Sequence, residues 1–345
     1  MNELVFVVPG RLDQLTGGYL YDRNIVEGLC ARGRVVRVIE LGPMVDAAEF
    51  AAIPDGTTTV IDGLALPAVE KVVATEARRL HLVALVHHPL AAETGLSKAA
   101  AERTARFEAA MLPRFRGVLC PSRETAAAVR RYGVRADRIA IVQPGTAKPT
   151  TYRRPRRGAA RSLLCVASLV PRKGHGVLVD ALARLRDLDW RLLCVGSLQR
   201  DPATARAVRR TISAAGLGRR ITLAGEWLPA MLIRAYRAAD IFVLPSFHEG
   251  YGMAYAEAMA HGLPIIATIA GAIPETVPRG AGLLVAPGDP IALARALRRL
   301  ITEPCLRARL AAGSRAAGVR LPDWQQTTKQ WESALSRLAG RDPPH

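Results

Sequence analysis

The sequence predicts an α/β protein with two Rossmann-like domains facing a central cleft. One alternation carries the prediction: short apolar strand, polar loop, amphipathic helix, repeated along the chain, interrupted once and then restarted. The 345 residues, half of them hydrophobic, suffice for two α/β cores. Aromatics are only 5%, with Ala, Leu, Val and Arg dominant, which suits helices covering parallel sheets better than an aromatic-rich β protein.

In the first half, Leu4 to Val8 reads as a buried strand, Gly17 and Gly18 as a loop leading to a helix around Tyr21 to Arg32, and "RVVRVIEL" as the next strand. There follow the strand "TTVIDGLAL", the helix "AVEKVVATEARRL", the strand "LVALV" and a helix from Ser97 to Met111. "GVLCPS" is a further strand, and Ser122 is placed to cap the helix "RETAAAVRRYG". This alternation fills a first domain, 1–147. Residues 148–161, within "PGTAKPTTYRRPRRGAARS", are aperiodic and rich in Pro, Gly and Arg, and read as a linker. The pattern restarts in a second domain, 162–320. Its strands are "LLCVASL", "WRLLCVG", "ITLAG" and "DIFVLPS"; its helices are "GHGVLVDALARLRDL", "TARAVRRTISAAG" and "PAMLIRAYRAA". Ligands of such open sheets sit outside the carboxyl ends of the strands, so chemistry is expected in the cleft.

Composition excludes several classes. The first residues lack the basic region and cleavage site of a secretory signal, and no apolar run reaches the roughly 18 to 20 residues that span a bilayer. A cytoplasmic protein is expected. Cys30, Cys120, Cys165, Cys194 and Cys305 show no zinc or redox spacing and read as reduced core thiols. The net charge of +18 is uneven: residues 1–150 carry +3 and residues 151–345 carry +15. An anionic membrane, a phosphate-bearing ligand or nucleic acid would each attract such a surface. Nucleic acid is not expected, because stacking aromatics are scarce and no nucleic-acid motif is present. A dinucleotide oxidoreductase would need Gly-x-Gly-x-x-Gly after its first strand, which "VVPGRLDQLTGG" does not supply.

The most informative stretch is "HEGYGMAYAEAMAHGLPIIAT", His248 to Thr268. It reads as a glycine turn feeding a helix that stops at Gly262, so Tyr251, Gly252 and Met253 lie at a helix N-terminus suited to phosphate. Glu257 lies one turn further in, about 6 Å along the axis. There it clears a diphosphate and can accept hydrogen bonds from a ribose diol. Glu249, in the turn, would meet sugar hydroxyls at the ligand's other end. Together these describe a nucleotide-sugar, set against the plainer reading of a solvated loop glutamate and a capping or surface charge.

This stretch resembles the Glu-x7-Glu signature of retaining family 4 glycosyltransferases of GT-B fold. "TGGYLYDRNIVEGLCARG", "LVPRKGHGVLVDAL" and "AYRAADIFVLPS" agree in order and spacing, so the resemblance covers nearly the whole chain. It implies that Lys173 binds the donor diphosphate, where a fixed ammonium favours the charge that grows on the leaving group. Many members carry a Gly-Arg pair where this chain has Ala167-Ser168; Arg172 stands as the replacement, against a solvated arginine. Gly17 and Gly18 would admit the phosphates, or simply turn the chain. His87 would lie near donor sugar and acceptor, with His88 as the alternative; a His-His metal site is disfavoured because no cysteine or carboxylate follows at ligand spacing. Residues 321–345, with "PDWQQTTKQWESALSRLAG", resemble the last helix of the fold, which crosses back to the N-terminal domain.

The implied activity is transfer of a hexose-type sugar from a nucleotide diphosphate sugar to an acceptor hydroxyl with retention, without cofactor or metal. The acceptor would be lipid-linked or a polysaccharide, and the basic surplus suggests peripheral attachment to an anionic membrane surface. The alternatives are a GT-B sugar-nucleotide epimerase and a non-catalytic module binding anionic membrane or nucleic acid.

Overall fold

Apolar runs of three to five residues become strands, and because helices cover both faces of each sheet these strands need no polar alternation. A computed structural model describes residues 3–149, 158 and 160–340. The chain divides into one unit of Met1–Gly145 with Pro322–His345, and a second of Thr146–Leu321.

In the first unit, β1 (Leu4–Val8), β2 (Val36–Glu40), β3 (Thr58–Asp62), β4 (His81–Leu85), β5 (Gly117–Cys120) and β6 (Ile139–Ile141) form a parallel sheet of order β2-β1-β3-β4-β5-β6. Leu4 pairs with Val36 on one side and Thr58 on the other, and every β1 residue is fully buried. The order reverses between β1 and β3, which opens a crevice at their carboxyl ends. The Asp62 side chain accepts from Leu64 N–H (2.7 Å) and turns the chain into a short 3-10 segment, Gly63–Ala65, so the strand is shorter than "TTVIDGLAL". Ser122 accepts from Thr125 N–H and caps the helix Arg123–Arg131.

Gly17 and Gly18, expected in a loop, are instead the first residues of the helix Gly17–Ala31. Glycine's weak helix propensity hides this start in the sequence. The last helix, Trp324–Ala339, belongs to the first unit and begins with a capping box between Asp323 and Gln326. Trp331 is fully buried, its ring stacked on Phe6 at 6.0 Å. Gly28 lets the helix approach: a Cβ there would lie 2.3 Å from Thr328 Oγ1.

In the second unit, β7 (Ser162–Val166), β8 (Arg191–Val195), β9 (Ile221–Leu223), β10 (Ile241–Val243), β11 (Ile265–Thr268) and β12 (Gly282–Val285) form a parallel sheet of order β12-β11-β10-β7-β8-β9. Its switch point lies between β7 and β10. Cys120, Cys165 and Cys194 are buried, but Cys30 and Cys305 are exposed and are not core thiols: each sits on a helix that packs by another face. Arg153, Arg154, Arg156 and Arg157 of the linker lie outside the described residues.

Trp331→Ala is expected to cost about 3–5 kcal/mol of first-unit stability, the range for emptying a buried aromatic site, read by urea denaturation. A loss below about 1 kcal/mol would mean that the helix adds little to this core.

Candidate functional site

The second sheet's switch point brings two loops together. After β7, Pro171–Lys173 forms a 3-10 turn closing on Gly174, whose φ is +68°. A Cβ there would lie 2.2 Å from Pro245 O in the loop after β10, so glycine is required by both backbone and space. Phe247 N–H donates to Arg172 O (2.7 Å) and stitches the loops. Lys173 Nζ and Ser246 Oγ both donate to Glu249 Oε1, at 2.7 and 2.6 Å. Arg172 Nη1 donates to His248 O (2.9 Å) and reaches Glu249 Oε2 at 3.4 Å.

Glu249 is 5% exposed, so it is not a solvated loop residue. Burial by itself drives its carboxyl up, but Lys173, Arg172 and the bond from Ser246 bring it down to about 2. It is a carboxylate, not a proton donor, at any physiological pH. Arg172 and Lys173, read from sequence as phosphate ligands apart from Glu249, thus share one cluster with it.

The helix Met253–Ala260 starts from Gly252, whose φ is +93°. Its internal bonds begin with Tyr255 and Ala256 N–H on Gly252 O, which leaves the Met253 end as the positive pole. The Tyr251 side chain is buried, and its carbonyl accepts from Thr276 Oγ1 at 2.5 Å. Glu257 Oε2 accepts from Tyr236 OH at 2.7 Å; burial pushes this carboxyl up and the tyrosine opposes the shift. Tyr236 stacks on His261 with centroids 5.1 Å apart. It lies in the quoted "AYRAAD" segment, where helical periodicity marks it only as core.

At the first sheet's switch point, His87 Nε2 donates to Asp22 Oδ1 (2.9 Å) and lies 3.8 Å from Asp62 Oδ2. Both aspartates are fully buried. Burial by itself lowers His87, but Asp22, through charge and hydrogen bond, and then Asp62 carry it to about 9. Burial and Asp22 push Asp62 well up. His87 is therefore an imidazolium held between two carboxyl groups, and the ligand atoms of Asp22, Asp62 and His87 all lie within 4.8 Å of one another. Gly18 lies against it, a Cβ there falling 3.2 Å from His87 Cδ2, and Gly17 is the first residue of the helix. His88 turns away to Glu93, at 3.3 Å. Sequence reasoning missed Asp22 and Asp62 because it sought carboxylates near His87 along the chain; Asp22 is 65 residues away.

Two open parallel sheets, each with a charged cluster at its switch point, make an α/β protein of two Rossmann-like units, the GT-B class of fold. Residues 160–303 match the profile described as "Glycosyl transferases group 1" and residues 57–147 that of "Glycosyltransferase Family 4". The chain belongs to the family 4-like glycosyltransferases. It is 32% identical over 230 residues to a D-inositol 3-phosphate glycosyltransferase of Corynebacterium efficiens, covering 62% of this chain and 54% of that protein. It is 31% identical over 282 residues to an MMP alpha-(1->4)-mannosyltransferase of Mycolicibacterium hassiacum, covering 75% and 66%. These matches span between half and two thirds of the relatives' lengths. A solved sucrose-phosphate synthase from Thermosynechococcus elongatus shares the fold, with a TM-score of 0.83 at 23% identity over 98% of this chain and 99% of that one.

Asp22→Asn tests the histidine cluster. A raised folded-state pKa contributes stability that is complete below the unfolded value near 6.5 and lost as pH rises through about 9. The variant should lower the His87 midpoint, read by NMR, and flatten the wild-type fall in stability between those pH values. An unmoved midpoint would remove Asp22 from this role.

Proposed function

We propose that this protein is a retaining glycosyltransferase that moves a hexose-type sugar from a nucleotide diphosphate sugar to an acceptor hydroxyl. The observation that carries this reading is the Lys173–Glu249–Ser246 cluster at the second sheet's switch point, one turn before the helix that bears Glu257. The relatives named for glycosyl and mannosyl transfer support the reaction class.

In this reading Lys173 and Arg172 hold the diphosphate, and the Met253 helix end with Gly252 and the Tyr251 backbone adds its dipole. Negative charge builds on the phosphate as the sugar leaves, so these cations act most strongly in the transition state. Glu249 stays ionised, orients the sugar and favours its oxocarbenium-like charge without becoming glycosylated. The departing phosphate oxygen takes the acceptor proton, which lets attack occur on the same face. Glu257 accepts the ribose diol, and Tyr236 fixes its carboxylate. Gly17 and Gly18 admit the phosphates, and the His87 imidazolium serves donor sugar and acceptor. Transfer itself uses no bound cofactor or cation.

A screen of nucleotide-sugars for donor hydrolysis, with and without acceptors, tests the activity; turnover to an epimer without acceptor would favour an epimerase. Glu257→Ala should weaken nucleoside diphosphate binding by about 1.5–3 kcal/mol, the loss of hydrogen bonds to a charged group, measured by calorimetry. Unchanged affinity in the folded variant would remove Glu257 from the ribose site. Glu249→Gln should lower kcat more than nucleoside diphosphate affinity, because the bare nucleotide lacks the sugar.

The reading extends to a lipid-linked or polysaccharide acceptor and peripheral attachment to an anionic membrane. The described residues contain no helix long and apolar enough to cross a membrane. Attachment is supported by the +15 of residues 151–345 and by exposed Leu228, Met231 and Ile233 beside exposed Arg234 and Arg237. Co-sedimentation with vesicles should rise with anionic lipid, fall with salt, and weaken when Arg153, Arg154, Arg156 and Arg157 become glutamine. Protein left in the supernatant at low salt with highly anionic vesicles would favour a soluble acceptor.

A further inference from the structure

We propose that Cys165, Cys194 and His175 form a binding site for a thiophilic divalent cation of the zinc class, inside the second unit and two residues from Lys173. The three come from separate elements. In-register pairing of β7 and β8 sets Cys165 opposite Cys194, so both thiols project from one face of the sheet. His175 is the first residue of the helix His175–Ala183, and its Nε2 lies 3.6 Å from Cys165 Sγ. All three donor atoms lie within 4.8 Å of one another, and the residues are 0%, 3% and 3% exposed.

The spacing suits one ion. Bonds of about 2.3 Å to sulfur and about 2.0–2.1 Å to nitrogen, at a tetrahedral angle, put a sulfur and a nitrogen about 3.6 Å apart and two sulfurs about 3.8 Å apart. Two sulfurs and an imidazole select zinc-like ions over magnesium or calcium, which require oxygen. Charge selects the valence. Two thiolates, a neutral imidazole and a dication sum to zero, which an apolar core accepts; a monocation would leave a buried net charge. Binding releases both thiol protons to solvent. Three protein donors leave one coordination position.

The site was hidden from spacing rules because its donors, at 165, 175 and 194, meet only through the sheet register. An ion there ties the ends of β7 and β8 to a helix entered directly from Arg172, Lys173 and Gly174. Occupancy would therefore stiffen the segment that presents the lysine. The plainer occupant is a proton shared between thiol and imidazole.

The test is titration with Co2+ of the full chain carrying Cys30→Ser and Cys305→Ser, which removes the exposed thiols, under a thiol-free reductant. The expected result is one equivalent bound, with a thiolate-to-cobalt charge-transfer band and tetrahedral visible absorption, both erased by Zn2+. Cys194→Ser and His175→Gln should each weaken binding at least about tenfold, no less than the loss of an outer-shell partner costs. No band at saturating Co2+, or an unchanged band in Cys194→Ser, would overturn the proposal. A second readout needs no change in the cluster: under mild denaturant, Zn2+ should slow alkylation of Cys165 and Cys194 but not of Cys120, buried in the other unit. Equal rates with and without Zn2+ would leave only the thiol–imidazole contact.

Discussion

The architecture of the second unit depends on how one buried carboxylate is neutralised. Glu249 lies at the switch point where β7 and β10 diverge, and leaving it without cationic partners would cost several kcal/mol. Lys173 from one loop and Ser246 from the other share one of its oxygens, while Arg172 approaches the second. The loops must then follow closely: Gly174 packs on the Pro245 carbonyl, Phe247 N–H bonds back to Arg172, and Ala272 N–H bonds Glu249 O at 2.9 Å. Lys173 is thereby held in one place by its own loop contacts, so a ligand meeting it would find little left to order.

The first unit solves a similar problem with the opposite sign. Two buried aspartates flank His87, and the charged imidazole, 2.9 Å from Asp22 Oδ1 and 3.8 Å from Asp62 Oδ2, offsets their burial. Gly18 packs against the ring, where an added Cβ would fall 3.2 Å from His87 Cδ2, a tight approach that favours glycine at this helix start. Both sheets thus place ionisable groups where strand order reverses, the position at which a parallel sheet leaves its crevice open.

Much of this was legible from local pattern. The strand and helix alternation, the restart after the linker, the helix cap at Ser122 and the glycine turn before Met253 all follow from neighbours a few residues apart. Where the reading erred, the cause was also local. Asp62 ends β3 early by accepting from the Leu64 N–H, and Gly17 and Gly18 join a helix that their propensity disfavours. Glu249 and Lys173 were identified separately, but nothing in either segment showed that they pair.

The sequence by itself determined the fold class, the two halves and the Glu249 to Glu257 segment, because burial periodicity and turn chemistry are written in adjacent residues. Only the tertiary structure decided that Asp22 and Asp62 hold His87, that Tyr236 holds Glu257, and that Cys165, Cys194 and His175 converge. Those contacts join residues 10 to 65 positions apart. They exist because strand order and register bring the ends of particular strands and helices together, and no single segment of the chain encodes that.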